Sequence, residues 1–142
     1  ALLLVVVLSA AMPLIPPTNP TREKALDVMA QADDLNNVHQ FWAAEPLYNQ
    51  AIAMDPTEPQ LWSARANYFA GTANYDKALP DYTKAIQLDP QAADPYRWRG
   101  QAEEKLEQNA AAKADFEKFL QLAPANHPRR NKIELEIQNL NS

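Results

Sequence analysis

The side chains able to do chemistry are few and poorly grouped. His39 and His127 are the only histidines, and neither has an acidic residue or a second His beside it at ligand spacing. They read as solvated loop residues and not as a metal site. Ser9, Ser63 and Ser142 lack the G-x-S-x-G setting of a nucleophilic serine. Glu103, Glu104 and Glu107 carry paired carboxylates of the kind that general acid–base work needs. They share their stretch with Lys105, however, and read as a solvated helix face. Cys is absent, which excludes disulfides and thiolate metal sites. Gly71 and Gly100 are the only glycines, so no Gly-rich phosphate loop can be built. The chemistry-bearing residues therefore point away from an enzyme and call for no cofactor and no metal.

What remains is binding, and composition narrows the partners. The chain has 142 residues and a formal net charge of −5. Its Lys and Arg residues are outnumbered and scattered, which argues against a phosphate-neutralising face and hence against nucleic acid as a partner. The length is enough for one domain with a modest core.

The elements that position any binding residues announce themselves by a repeat. Pro56, Pro90 and Pro124 fall 34 residues apart, each closing an apolar stretch. Ala44, Ala78 and Ala112 keep the same phase, as do Ala32, Ala66 and Gly100. So do the aromatics Tyr48, Tyr82 and Phe116, and the closing Met54, Leu88 and Leu122. Pro46 and Pro80 share a phase too, early in a helix where a missing N–H costs least. The pattern predicts helices near Pro20–Asn37, Phe41–Met54, Pro59–Ala70, Tyr75–Leu88, Ala93–Glu107 and Ala110–Leu122. A seventh is expected from about Pro128 to Leu140, because Ile133, Ile137 and Leu140 form one apolar stripe at i, i+4 and i+7.

A small residue, an aromatic and a closing proline at fixed places in a 34-residue unit resemble the tetratricopeptide repeat (TPR) family. The resemblance covers about Thr21 to the C-terminus. It implies an all-α fold: a right-handed helical solenoid of three helix-turn-helix repeats plus a C-terminal capping helix. The expected organisation is an apolar N-terminal segment (1–15), a proline-rich linker (16–20) and a TPR domain (21–142). Within that domain, repeats fall at about 25–58, 59–92 and 93–126, and the capping helix at 127–142. The chain departs from the family pattern at Gln31, Arg65 and Arg99, where Leu is usual. It also departs at Glu103, where a large residue is expected, at Asn109 in place of an aromatic, and at Phe119 in place of Ala.

The resemblance implies that the first helix of each unit lines a concave binding surface. The inward positions are Leu26, Met29, Asp33 and Asn36 in the first unit, Gln60, Ser63, Asn67 and Ala70 in the second, and Asp94, Arg97, Gln101 and Glu104 in the third. Some TPR domains clamp the C-terminal carboxylates of chaperone peptides. The matching places here hold Met29, Asp33, Ala64, Asp94 and Trp98, none of them a clamp residue, so the expectation is no chaperone carboxylate clamp. Trp62 stands where the family favours Trp and reads as core. Trp98 edges the groove. Trp42, where an acidic residue is usual, reads either as an interface anchor or as packed under the N-terminal segment.

The first fifteen residues, ALLLVVVLSAAMPLI, are apolar but for Ser9. Because the sequence starts at Ala1 and not at Met, either something was removed or it lies within a longer chain. Three readings stay open. As a helix the run covers about 22 Å, short of a full span but compatible with the end of one. It is similar in length to the core of a secretory signal. Val5, Val6 and Val7 favour an extended arm, with Leu2, Leu4, Val6, Leu8 and Leu14 docked on protein. The joint at Pro16 and Pro17 then directs the arm to a neighbouring chain. These readings lead to a protein-interaction scaffold tethered at a membrane or cell envelope. The alternative is a subunit of an extracellular homopolymeric filament assembled through the arm. The partners expected are other proteins or self, with membrane contact through residues 1–15, and the setting is membrane-associated or extracytoplasmic.

Overall fold

In a computed structural model, residues 19–141 are described; among them the chain forms seven helices and no strand. They are α1 (Pro20–Asn37), α2 (Phe41–Met54), α3 (Pro59–Gly71), α4 (Tyr75–Leu88), α5 (Ala93–Lys105), α6 (Asn109–Leu122) and α7 (Arg130–Leu140). The calls on residues 1–15, with Leu2, Leu4, Val6, Leu8 and Leu14, fall outside the described residues.

Local chemistry sets the boundaries. The Asn19 side chain accepts hydrogen bonds from the Thr21 and Arg22 amides at 3.1 and 3.2 Å, and Pro20 fills the first turn of α1 where its missing N–H costs nothing. Each first helix ends on a residue in the left-handed region that is not glycine: His39 (φ 64°), Ala73 (φ 60°) and Glu107 (φ 59°). The amide just after each one closes the turn at 2.8 Å: Gln40 onto Leu35, Asn74 onto Phe69 and Gln108 onto Glu103. This turn is why α5 stops at Lys105, short of the Glu107 read from the pattern. At the far ends, Asp55 and Asp89 each accept the amide two residues on, Thr57 at 3.1 Å and Gln91 at 3.2 Å. Pro46 and Pro80 need a correction. Each is the sixth residue of its helix, one turn in, so the carbonyls of Trp42 and Asp76 lose their helical donors.

The helices pack as the pairs α1/α2, α3/α4 and α5/α6, joined through α2–α3 and α4–α5, with α7 against α6. Fully buried Ala32, Ala44, Ala66 and Ala78 let the backbones approach, and Tyr48, Tyr82 and Phe69 fill the space beside them. Gly100 continues this series because it has to: a Cβ there would lie 2.7 Å from the Phe116 ring and 3.2 Å from the Ala112 carbonyl. Phe116 and Phe119 are fully buried in the third pair, and Ile133 of α7 joins them with Ile137 and Leu140 at its edge.

The two arginines at the Leu positions have a physical reason. Arg65 donates Nε and Nη2 to the two oxygens of Asp81 at 2.7 and 2.8 Å, and Nη1 to Asn49 Oδ1 at 2.8 Å. Thirty-four residues on, Arg99 repeats this with Asp115 at 2.7 and 2.8 Å and with Thr83 Oγ1 at 3.0 Å. The carboxylates are buried, and the fork geometry satisfies both oxygens. In the first pair these two places hold Gln31 and Leu47.

Candidate peptide-binding groove

The first helices share one face of the stack, and two cavities open on it. The larger, about 720 Å³, is walled by Arg22 and Met29 of α1, by Pro59, Gln60, Ser63, Ala64 and Asn67 of α3, and by Ala93, Asp94, Pro95 and Trp98 of α5. The smaller, about 460 Å³, lies between Ala70, Tyr75 and Tyr82 on one side and Gln101, Glu104, Lys105, Lys132 and Glu136 on the other. Asn67 and Trp98 belong to both, so the two cavities form a continuous groove around them.

Second-helix tyrosines orient the groove's polar groups. Tyr82 donates its hydroxyl to Asn67 Oδ1 at 2.6 Å, leaving the Asn67 N–H groups for a ligand. One unit earlier, Tyr48 donates to Asp33 at 2.5 Å. Burial pushes both phenols above their ordinary range, so they remain donors. The Tyr82 and Trp98 ring centroids also lie 6.4 Å apart, with the planes tilted by 30°.

Of the sequence-derived groove residues, Met29, Gln60, Ser63, Asn67 and Asp94 line the larger cavity, and Asn67, Gln101 and Glu104 line the smaller. Asp33 and Asn36 face Tyr48 instead. Leu26 is partly buried against the cluster of Ala25, Ala51, Ile52 and Leu61. Arg97, read as the lone groove cation, is held by Asp94 through Nε and Nη2 at 3.0 and 2.8 Å and stacks on Trp98. The cations that do line the groove are Arg22, Lys105 and Lys132, which repeat phase alone does not single out. Arg22 pairs with Glu58, whose other oxygen accepts the Gln60 amide at the start of α3.

Trp62 is half-buried, its indole N–H bonded to the Pro56 carbonyl at 2.9 Å. Trp42 is 82 % exposed and stands beside exposed Val38 and Phe41. His127 was read as a solvated loop residue. It lies edge-on to Phe119 at 5.0 Å and reaches the wall of the larger cavity. Glu103 also departs from the solvated face read for Glu103, Glu104 and Glu107. It is buried against Asp115 and Arg99, and one of its oxygens has no hydrogen-bond partner. Desolvation, then the Asp115 charge, pushes its carboxyl up to about 7, against the pull of Arg99.

Comparison with known proteins places this geometry. The tetratricopeptide repeat family model matches residues 69–135. The SGT1 homolog of Oryza sativa subsp. japonica is 39 % identical over 77 residues, covering 54 % of this chain and 21 % of its own length. The chain spans about a fifth to a quarter of the length of the first curated relatives it matches. The first TPR of Spaghetti (RPAP3), bound to HSP90 peptide SRMEEVD, superposes with a TM-score of 0.76 at 26 % identity, covering 85 % of this chain and 96 % of that one. The second TPR domain of human RPAP3, in complex with HSP70 peptide SGPTIEEVD, gives 0.75 at 25 % identity, with 86 % and 98 % covered.

Two expectations are corrected by these findings. The chaperone carboxylate clamp was excluded because Met29, Asp33, Ala64, Asp94 and Trp98 stand at its places. Both similar domains hold chaperone peptides, so that exclusion is withdrawn. It weighed five positions alone, whereas Arg22, Lys105 and Lys132 bring positive charge to the same face from elsewhere. The membrane-associated or extracytoplasmic setting, and membrane contact with it, is withdrawn as well. No helix among the described residues is long and apolar enough to cross a membrane, and the relatives lend that setting no support. Helix pairs in a 34-residue repeat, a groove along their first helices and these likenesses agree: the chain belongs to the tetratricopeptide repeat family, whose fold is a protein-interaction module.

Proposed function

We propose that the chain is a docking scaffold whose groove takes an extended segment of a partner protein, and that it performs no catalysis. The units that build the groove are 25–58, 59–92 and 93–126, capped by 127–142. The observation that carries the reading is the continuity of the two cavities at Asn67 and Trp98. An extended backbone needs donors along its path, and the Asn67 N–H groups, fixed by Tyr82, supply them. An aromatic ring gives side chains of the segment a flat apolar contact, which Trp98 provides. The similar domains with bound HSP90 and HSP70 peptides support the mode and nominate chaperone C-terminal tails as first partners.

The test is fluorescence anisotropy of labelled SRMEEVD and SGPTIEEVD peptides, alongside a library of extended heptapeptides. Binding by at least one, weakened about tenfold or more by Trp98→Ala or Asn67→Ala, is the expected result. Binding by none, or binding that ignores both substitutions, overturns the reading.

A further inference from the structure

The wall of the larger cavity holds more acceptors than the donors around it engage. Its charged residues are Arg22, Glu58, Asp89 and Asp94. Glu58 is matched by Arg22, and Asp94 by Arg97. Asp89 is matched by no cation: its Oδ1 accepts the Gln91 amide at 3.2 Å, and no ion pair reaches it among the described residues. Both Arg97 bonds go to Asp94 Oδ1, so Asp94 Oδ2 is left over. His127, the remaining titratable group in the wall, accepts the Arg129 amide on Nδ1 at 3.2 Å and is neutral in that arrangement. Ser63 is an independent sign of a missing partner. It is 8 % exposed, it lines this cavity from α3, and its hydroxyl bonds to no described residue. A buried hydroxyl without a partner is unfavourable, and in a helix it ordinarily bonds back to the preceding turn.

We propose that the larger cavity seats one cationic side chain, arginine or lysine, of the bound segment, with Asp89 as its counter-charge and Asp94 Oδ2 and Ser63 Oγ as further acceptors. The proposal rests on reading the groove as a peptide site and names what that segment must carry. Guanidinium and ammonium groups are donors only, so they suit a wall with acceptors to spare. Met29 and Ala64 line the same cavity and can flank the aliphatic stem of such a side chain. A carboxylate seated here would meet Asp89 while Arg22 and Arg97 are already engaged. The acidic end of a segment fits instead toward Lys105 of the smaller cavity, beyond Asn67 and Trp98.

The peptide SRMEEVD carries one arginine, and a form with alanine in its place isolates that side chain. Fluorescence anisotropy with the full chain is expected to show about tenfold weaker binding of the alanine form. Asp89→Asn keeps an acceptor for the Gln91 amide and removes the charge. It is expected to weaken the arginine peptide about tenfold and to leave the alanine form unchanged. Ser63→Ala is expected to weaken the arginine peptide several-fold without lowering the thermal midpoint, since the hydroxyl has no partner in the protein to lose. Added salt should narrow the gap between the two peptides. Equal binding of the two peptides by the parent overturns the proposal, as does a gap that Asp89→Asn and Ser63→Ala both leave intact. Either result leaves peptide docking standing. If heptapeptides from the library bind and SRMEEVD does not, the tightest of them is the probe, and one without arginine or lysine overturns the proposal. Failure of docking itself looks different: no peptide of any composition binds the parent, and the proposal falls with it.

Discussion

Arg65 and Asp81 face each other across the second helix pair as a fork on a fork, Nε to Oδ2 at 2.7 Å and Nη2 to Oδ1 at 2.8 Å. The Asp81 side chain is 6 % exposed and that of Arg65 is 20 %, so neither group has water as a ready substitute. Asp81→Ala is expected to cost about 3 kcal/mol, because it strands a half-buried guanidinium. Replacing both residues with Leu, the residue usual in the family at position 65, is expected to stay within about 1 kcal/mol of the parent. Urea unfolding of the two single Leu variants and the double variant completes the cycle. A double variant as unstable as Asp81→Ala contradicts the argument.

Two small residues make opposite demands. Gly100→Ala is expected to destabilise by about 1–3 kcal/mol, since its methyl must displace the buried Phe116 ring. Ala73→Gly, at φ 60°, is expected to stabilise by about 1 kcal/mol by removing the left-handed penalty. Thermal melts of both variants check this, and a stabilising Gly100→Ala or a destabilising Ala73→Gly counts against it.

Glu103 makes stability depend on pH. Its carboxyl titrates near the ordinary 4.5 when unfolded and near 7 when folded, so the folded state holds the extra proton between those values. Its contribution is therefore fully present below pH 4.5 and is lost as pH rises through about 7. Asp115 raises the folded value and Arg99 lowers it, and neither removes the burial that causes it. Urea midpoints of the parent are expected to fall across this window relative to those of Glu103→Gln, which cannot titrate. Parallel curves for the two proteins contradict the prediction.

The repeat was legible because prolines and small residues punctuate it: Pro56 and Pro90 follow the ends of α2 and α4, which a proline cannot continue, and Gly100 stands where a Cβ would meet the Phe116 ring. The arginines were legible only as departures. Their meaning needed Asp81 and Asp115, sixteen residues on in both cases, a spacing that reads as a contact only once the two helices are known to pair. The left-handed turns were hidden because His39, Ala73 and Glu107 carry no glycine signature. Glu103 misled for a related reason: a charged neighbourhood in sequence says nothing of which side of α5 faces α6. In the groove, repeat phase located Asn67 and Asp94 but not the cations, since Lys132 arrives from α7 and Arg22 from the first turn of α1.

The third arm of each guanidinium has a consequence for how the domain comes apart. Arg65 reaches back to Asn49 and Arg99 reaches back to Thr83, so the same kind of cross-link recurs at each junction between successive pairs, beside the Arg22–Glu58 pair and the Tyr68 hydroxyl at the first. In a linear stack, cooperativity is only as continuous as its weakest junction. Cutting one cross-link should not soften the molecule evenly. Loss of Arg65 weakens the junction between α1–α2 and α3–α7, and loss of Arg99 the one between α1–α4 and α5–α7, while the rest of the stack keeps its own contacts.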